Sequence, residues 1–204
     1  PIETLSLSTD KTSVPTDNTK PATITAQVKS PTNVGVDNAT VEFSATDGRL
    51  SNSTVVTDSS GNAEVKFYSG SSNLSNQVAT ITASVSGADD KQIPIKLTGS
   101  SMTLDPSAKD ITIDQDKSST ITVILSGASE VGINDAKVSA KVIEGESNIV
   151  LSNDSTTGNS ITGTTGPTGE VDFTVNGTAQ GNSTIQIESL NMIQKKDYSV
   201  TSDE

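Results

Sequence analysis

One unit of roughly 100 residues, the size of a small β-sandwich, occurs twice in this chain of 204. Residues 22–28 (ATITAQV) return as 119–125 (STITVIL), and 36–43 (VDNATVEF) as 133–140 (INDAKVSA). Residues 57–67 (TDSSGNAEVKF) return as 165–173 (TGPTGEVDF), and 79–85 (ATITASV) as 183–189 (STIQIES). A chain built this way is expected to fold as two domains, residues 1–99 and 100–204, each with its own core.

Each repeated segment alternates apolar and polar residues, which puts one face of a strand against a core and the other toward water. Ala22, Ile24, Ala26 and Val28 form one inward row; Ala39, Val41, Phe43 and Ala45 form the next. Ala63, Val65 and Phe67 follow, then Ala79, Ile81, Ala83 and Val85. The second copy repeats the scheme with Ile121, Val123 and Leu125, then Ala136, Val138, Ala140 and Val142. It ends with Val171, Phe173 and Val175, then Ile185 and Ile187. No window carries a sustained helical period. With no Trp or Cys, three Phe and two Tyr, the interior must come from Val, Ile, Leu and Ala, which suit the thin space between two sheets. About 60 Ser and Thr supply strand edges and turns.

The boundary falls near residues 97–102 (LTGSSM), too short for a wide swing between domains, so a fairly stiff end-to-end pair is expected. The copies differ most between their central strands. There the second copy is about ten residues longer, and residues 148–163 read as an extended loop that could carry specificity.

In order, and twice over, these segments resemble the bacterial Ig-like domain of group 1, the repeat in the stalks of invasin- and intimin-type adhesins. The first copy carries the pattern in Val41 and Phe43, Thr57 and Gly61, Ala63 and Val65, and Ile81 and Ala83. In the second, Thr165 and Gly169 keep their spacing, while Ala140 stands for the Phe and Val171 for the Ala. The resemblance implies an all-β chain of two tandem immunoglobulin-like β-sandwich domains in an elongated arrangement. It further implies export to the cell surface and a spacer role in a larger prokaryotic protein, beside neighbouring Ig-like repeats. The alternative is an adhesive module that recognises a host protein or glycan through the loops of the second domain.

The chemistry in the sequence agrees with a non-catalytic role. There is no His, so the commonest general base is missing, and no nucleophile elbow, phosphate loop or dinucleotide fingerprint occurs. Net charge is −12 with Arg49 the only arginine, which disfavours nucleic acid. Apolar runs such as 149–151 are too short to span a bilayer, so no direct membrane insertion is expected. A monomer without cofactor is expected. Asp114 and Asp116, and Asp89, Asp90 and Asp105 near the junction, are the acids nearest to a calcium pattern; solvated turn acids are the expected reading. Tyr68 and Tyr198 are the rings that could stack on a sugar. Lysines such as Lys66 and Lys137 fall at outward positions. Candidate glycan acceptors in Asn-x-Ser/Thr sequons are Asn38, Asn52, Asn73, Asn153, Asn176 and Asn182.

Overall fold

The structure, a computed structural model, describes residues 1–71 and 74–202. The chain divides into two compact units, Pro1–Gly99 and Ser100–Glu204. The first holds β1 (Thr4–Thr9), β2 (Ser13–Pro15), β3 (Ala22–Lys29), β4 (Thr40–Ala45), β5 (Arg49–Leu50), β6 (Thr54–Val56), β7 (Asn62–Tyr68), β8 (Gln77–Val85) and β9 (Lys91–Thr98). The second holds β10 (Ser101–Asp105), β11 (Asp110–Asp114), β12 (Ser118–Ser126), β13 (Lys137–Glu144), β14 (Ile149–Ser152), β15 (Thr157–Gly158), β16 (Ser160–Thr164), β17 (Glu170–Gly177), β18 (Gly181–Ser189) and β19 (Met192–Thr201).

The two sandwiches share one topology. In the first, a sheet ordered β1-β3-β7-β5 faces one ordered β2-β9-β8-β4-β6. In the second, β10-β12-β17-β14-β15 faces β11-β19-β18-β13-β16. Every pairing is antiparallel except β2 with β9 and β11 with β19. Each domain therefore begins with a strand that switches sheets: β1 pairs with β3, and the chain then crosses so that β2 lies along β9. The fold is all-β, as the alternation predicted.

The inward rows meet in the space between sheets. Ala22, Ile24, Ala26 and Val28 are buried, as are Val41, Phe67 and Ile81 in the first domain and Ile121, Val138, Phe173 and Ile185 in the second. Two predicted inward residues, Ala45 and Val171, are only half-buried; each lies at one end of its strand.

Two sheet-to-sheet connections, β3–β4 and β6–β7, are tied together by one buried threonine. Thr57 Oγ1 donates to Val36 O at 2.6 Å and accepts from Ala39 N at 2.9 Å. Its backbone adds Asn38 N to Thr57 O and Thr57 N to Ala39 O. The second domain repeats this with Thr165: Oγ1 donates to Ile133 O at 2.6 Å and accepts from Ala136 N at 3.0 Å. Four residues on, Gly61 (φ 80°) and Gly169 (φ 82°) accept from Val28 N and Leu125 N. A Cβ on Gly61 would lie 2.4 Å from Val28 O, and one on Gly169 2.2 Å from Leu125 O, so no other residue fits either position without backbone movement.

Thr57→Val and Thr165→Val keep the shape but take the side-chain partner from a buried N–H and from a carbonyl that is half-buried at Val36 and buried at Ile133. Each is expected to lower the stability of its own domain by about 1–3 kcal/mol. Denaturant unfolding with a probe in each domain checks this; a loss below about 0.5 kcal/mol would show the bridge to be dispensable.

Candidate functional site

The extra residues of the second copy are not an extended loop. They add to both sheets: β14 pairs with β17 and with β15, and β16 pairs with β13. The reason is local alternation. Ile149 and Leu151 face the core from β14 and Ile161 from β16, all buried, so only residues 153–156 remain as a turn between β14 and β15. Asn153 organises that turn. Its Oδ1 accepts from Ser155 N, Thr156 N and Thr156 Oγ1 at 2.9–3.1 Å, and its Nδ2 donates to Thr162 O at 3.0 Å.

This hairpin borders an open groove of about 770 Å³ whose walls include Asp154, Thr156, Thr162, Thr164, Asp172 and Thr174. Gly163 lies in it, where a Cβ would come within 2.6 Å of Val171 and 3.2 Å of the Phe173 ring. The bare backbone there lets β16 of one sheet approach β17 of the other. None of the lining residues carries positive charge. The groove thus offers hydroxyl and carboxylate groups to a polar or cationic partner.

Neither tyrosine offers a bare ring to a sugar. The Arg49 guanidinium stands 4.6 Å from the Tyr68 ring centroid. Tyr198 is buried on the inner face of β19, its hydroxyl has no partner, and burial pushes that hydroxyl far above its ordinary range. The acids stay apart as well. Asp114 accepts from Thr201 Oγ1 at 2.8 Å, and Asp116 follows in a turn at φ 62°. Asp89, Asp90 and Asp105 are exposed. Among the described residues no group of three or more metal-ligating side chains comes together.

Lys66 and Lys137 do point outward, but Lys196 does not. It pairs with Ile185 on the inner face of β19, is 2% exposed, and donates to Pro106 O in the β10–β11 crossing. Burial lowers its pKa, and the charge of Asp105 offsets part of that. The doublet Lys195-Lys196 hid this position, because a charged pair reads as a solvated edge.

The sequons divide by what their side chains already do. The Asn38 amide donates to Asp37 Oδ2 at 2.9 Å, in a residue at φ 57°. The Asn153 amide is bound to Thr162 O, and the Asn176 amide donates to Val150 O and Ser152 Oγ. Asn182 lies inside β18 next to buried Ser183, and the hydroxyl of its Thr184 donates to Asp197 Oδ1. Asn52 is exposed between β5 and β6. Asn73 lies outside the described residues.

Residues 4–98 match the family model of the bacterial Ig-like domain (group 1). No curated protein sequence matches the chain. Among solved structures, the Yersinia pseudotuberculosis adhesin InvE aligns over 97% of this chain with a TM-score of 0.57 at 15% identity, a likeness of fold. This chain spans 58% of that structure's length. Invasin, a bacterial integrin-binding protein, aligns over 98% of this chain and 40% of its own, with a TM-score of 0.45 at 17% identity. The D0-D1 domain of intimin aligns over 95% of this chain and 94% of its own, with a TM-score of 0.42 at 20% identity.

Lys196 gives the second domain a pH dependence of defined sign. Its folded pKa lies below the ordinary lysine value of 10.5, so between those two values the unfolded chain holds the proton more often than the folded one. Its contribution to stability therefore rises with pH across that window. Tyr198 acts oppositely, but only above its ordinary value of 10.0. Below that pH the denaturant midpoint of the second domain, relative to Lys196→Met, is expected to climb as pH is raised. A difference that stays flat would show that Lys196 keeps an ordinary pKa.

Proposed function

We propose that this chain, whose first domain is a bacterial Ig-like domain of group 1, is a non-catalytic spacer module of a prokaryotic cell-surface protein. The observation that carries this reading is the duplication of one scaffold, threonine bridge for threonine bridge, in Thr57 and Thr165. A spacer needs only that a stable unit be repeated. Many polar side chains serve the scaffold itself, as Asn153 and Asn176 do. The two titratable groups with clearly shifted pKa values, Lys196 and Tyr198, are buried on the inner face of β19. Among the described residues no helix is long and apolar enough to cross a membrane, and the net charge of −12 opposes binding to anionic surfaces.

A second reading rests on the groove beside the β14–β15 hairpin, because β15 has no counterpart in the first domain. It makes the second domain adhesive. The occupied or buried state of both tyrosines favours a host protein over a glycan as its target.

Labelled chain applied to host-cell surfaces and to a glycan panel separates the two. The spacer reading expects no saturable binding by well-folded protein. Saturable binding that disappears when residues 153–160 are replaced by a two-residue turn would overturn it in favour of adhesion.

A further inference from the structure

We propose that, among the sequons of the described residues, Asn52 is the one that accepts an N-linked glycan in the folded state. A sequon is modified when the asparagine amide and the hydroxyl two residues on are both free to enter a transferase. Of the five sequons in the described residues, Asn38, Asn153 and Asn176 have their amides committed to hydrogen bonds within the domain. Modifying Asn176 would take one of the two amide protons it uses on Val150 O and Ser152 Oγ, and modifying Asn153 would place a glycan on the nitrogen that holds Thr162 O. In the sequon of Asn182, the threonine hydroxyl is committed to Asp197 and the middle residue is buried.

Asn52 differs on each point. Asn52, Ser53 and Thr54 are all exposed, and the side chains of Asn52 and Thr54 make no hydrogen bond among the described residues. The segment is nonetheless presented in a fixed place. Ser51 N donates to Lys66 O, and Phe43 N donates to Ser53 O, both at 2.8 Å. It joins β5, the edge of one sheet, to β6, the edge of the other.

That location gives the modification a physical use. Exposed strand edges invite pairing with other chains, and Val56 on β6 is 52% exposed. In the second domain the corresponding seam is filled by protein, because β15 extends the sheet beyond β14. In the first domain a glycan on Asn52 stands over the same seam.

The donor is a lipid-pyrophosphate-linked oligosaccharide. Asn52 Nδ2 forms the new bond to the anomeric carbon, the bond from that carbon to the pyrophosphate oxygen breaks, the lipid pyrophosphate leaves, and the amide loses one proton. The test incubates the full chain, folded and unfolded, with an oligosaccharyltransferase and its lipid-linked donor, and reads intact mass. The unfolded chain is the positive control and is expected to gain several glycans. With Asn73→Gln as the background, the folded chain is expected to gain one, lost in Asn52→Gln and in Thr54→Ala and kept in Asn38→Gln, Asn153→Gln, Asn176→Gln and Asn182→Gln. On that background, a gain that persists in Asn52→Gln, or no gain on folded protein under conditions that modify the unfolded chain, would overturn the assignment.

Discussion

The hydroxyl of one threonine in each domain ties together the two connections by which the chain passes between its sheets. No disulfide joins the layers, since the chain has no cysteine. Its sheets are joined by loops, and loops rich in unpaired backbone are where such a fold loosens first. Thr57 and Thr165, both buried, each satisfy a carbonyl and an amide of the opposite crossing. The glycine four residues on completes the arrangement, because the crossing strands approach more closely there than a Cβ permits. The space between the layers is filled mainly by Ala, Val and Ile.

The two copies have diverged in the parts this constraint leaves alone. On the inner face of the last strand, Ile93 and Ile95 of the first domain correspond by register to Lys196 and Tyr198 of the second. The second core thus holds an amine and a phenol where the first holds only hydrocarbon. The amine finds a carbonyl in the β10–β11 crossing, while the phenol has no protein partner. At the opposite edge, the second copy extends its sheets with a hairpin where the first has two short strands and an open turn.

Much of this was legible in the sequence, and the failures have physical causes. Alternation with period two identified the inward rows because each strand buries one face only. The bridging threonine and its glycine were visible as a repeated spacing, although their hydrogen bonds were not. The hairpin at residues 148–163 reads as a loop in the sequence because β14 offers just two buried side chains, Ile149 and Leu151, and its surroundings are rich in Asn, Ser and Thr. Lys196 was missed because the inward phase of β19 is set by its pairing with β18, not by its own residues. Likewise, six sequons look equivalent in the chain. What separates them is which amides the fold has already used, and that depends on residues far away, such as Thr162 for Asn153.

The switch of the first strand between sheets has a mechanical meaning. In each domain the segment that follows the entering strand lies parallel to the strand by which the chain leaves, Ser13–Pro15 beside Lys91–Thr98 and Asp110–Asp114 beside Met192–Thr201. Tension applied through the two ends of a domain pulls such a pair along its own length in opposite directions. The hydrogen bonds between them are then loaded together in shear, not peeled open one after another. The first domain sets three residue pairs against that load and the second sets five.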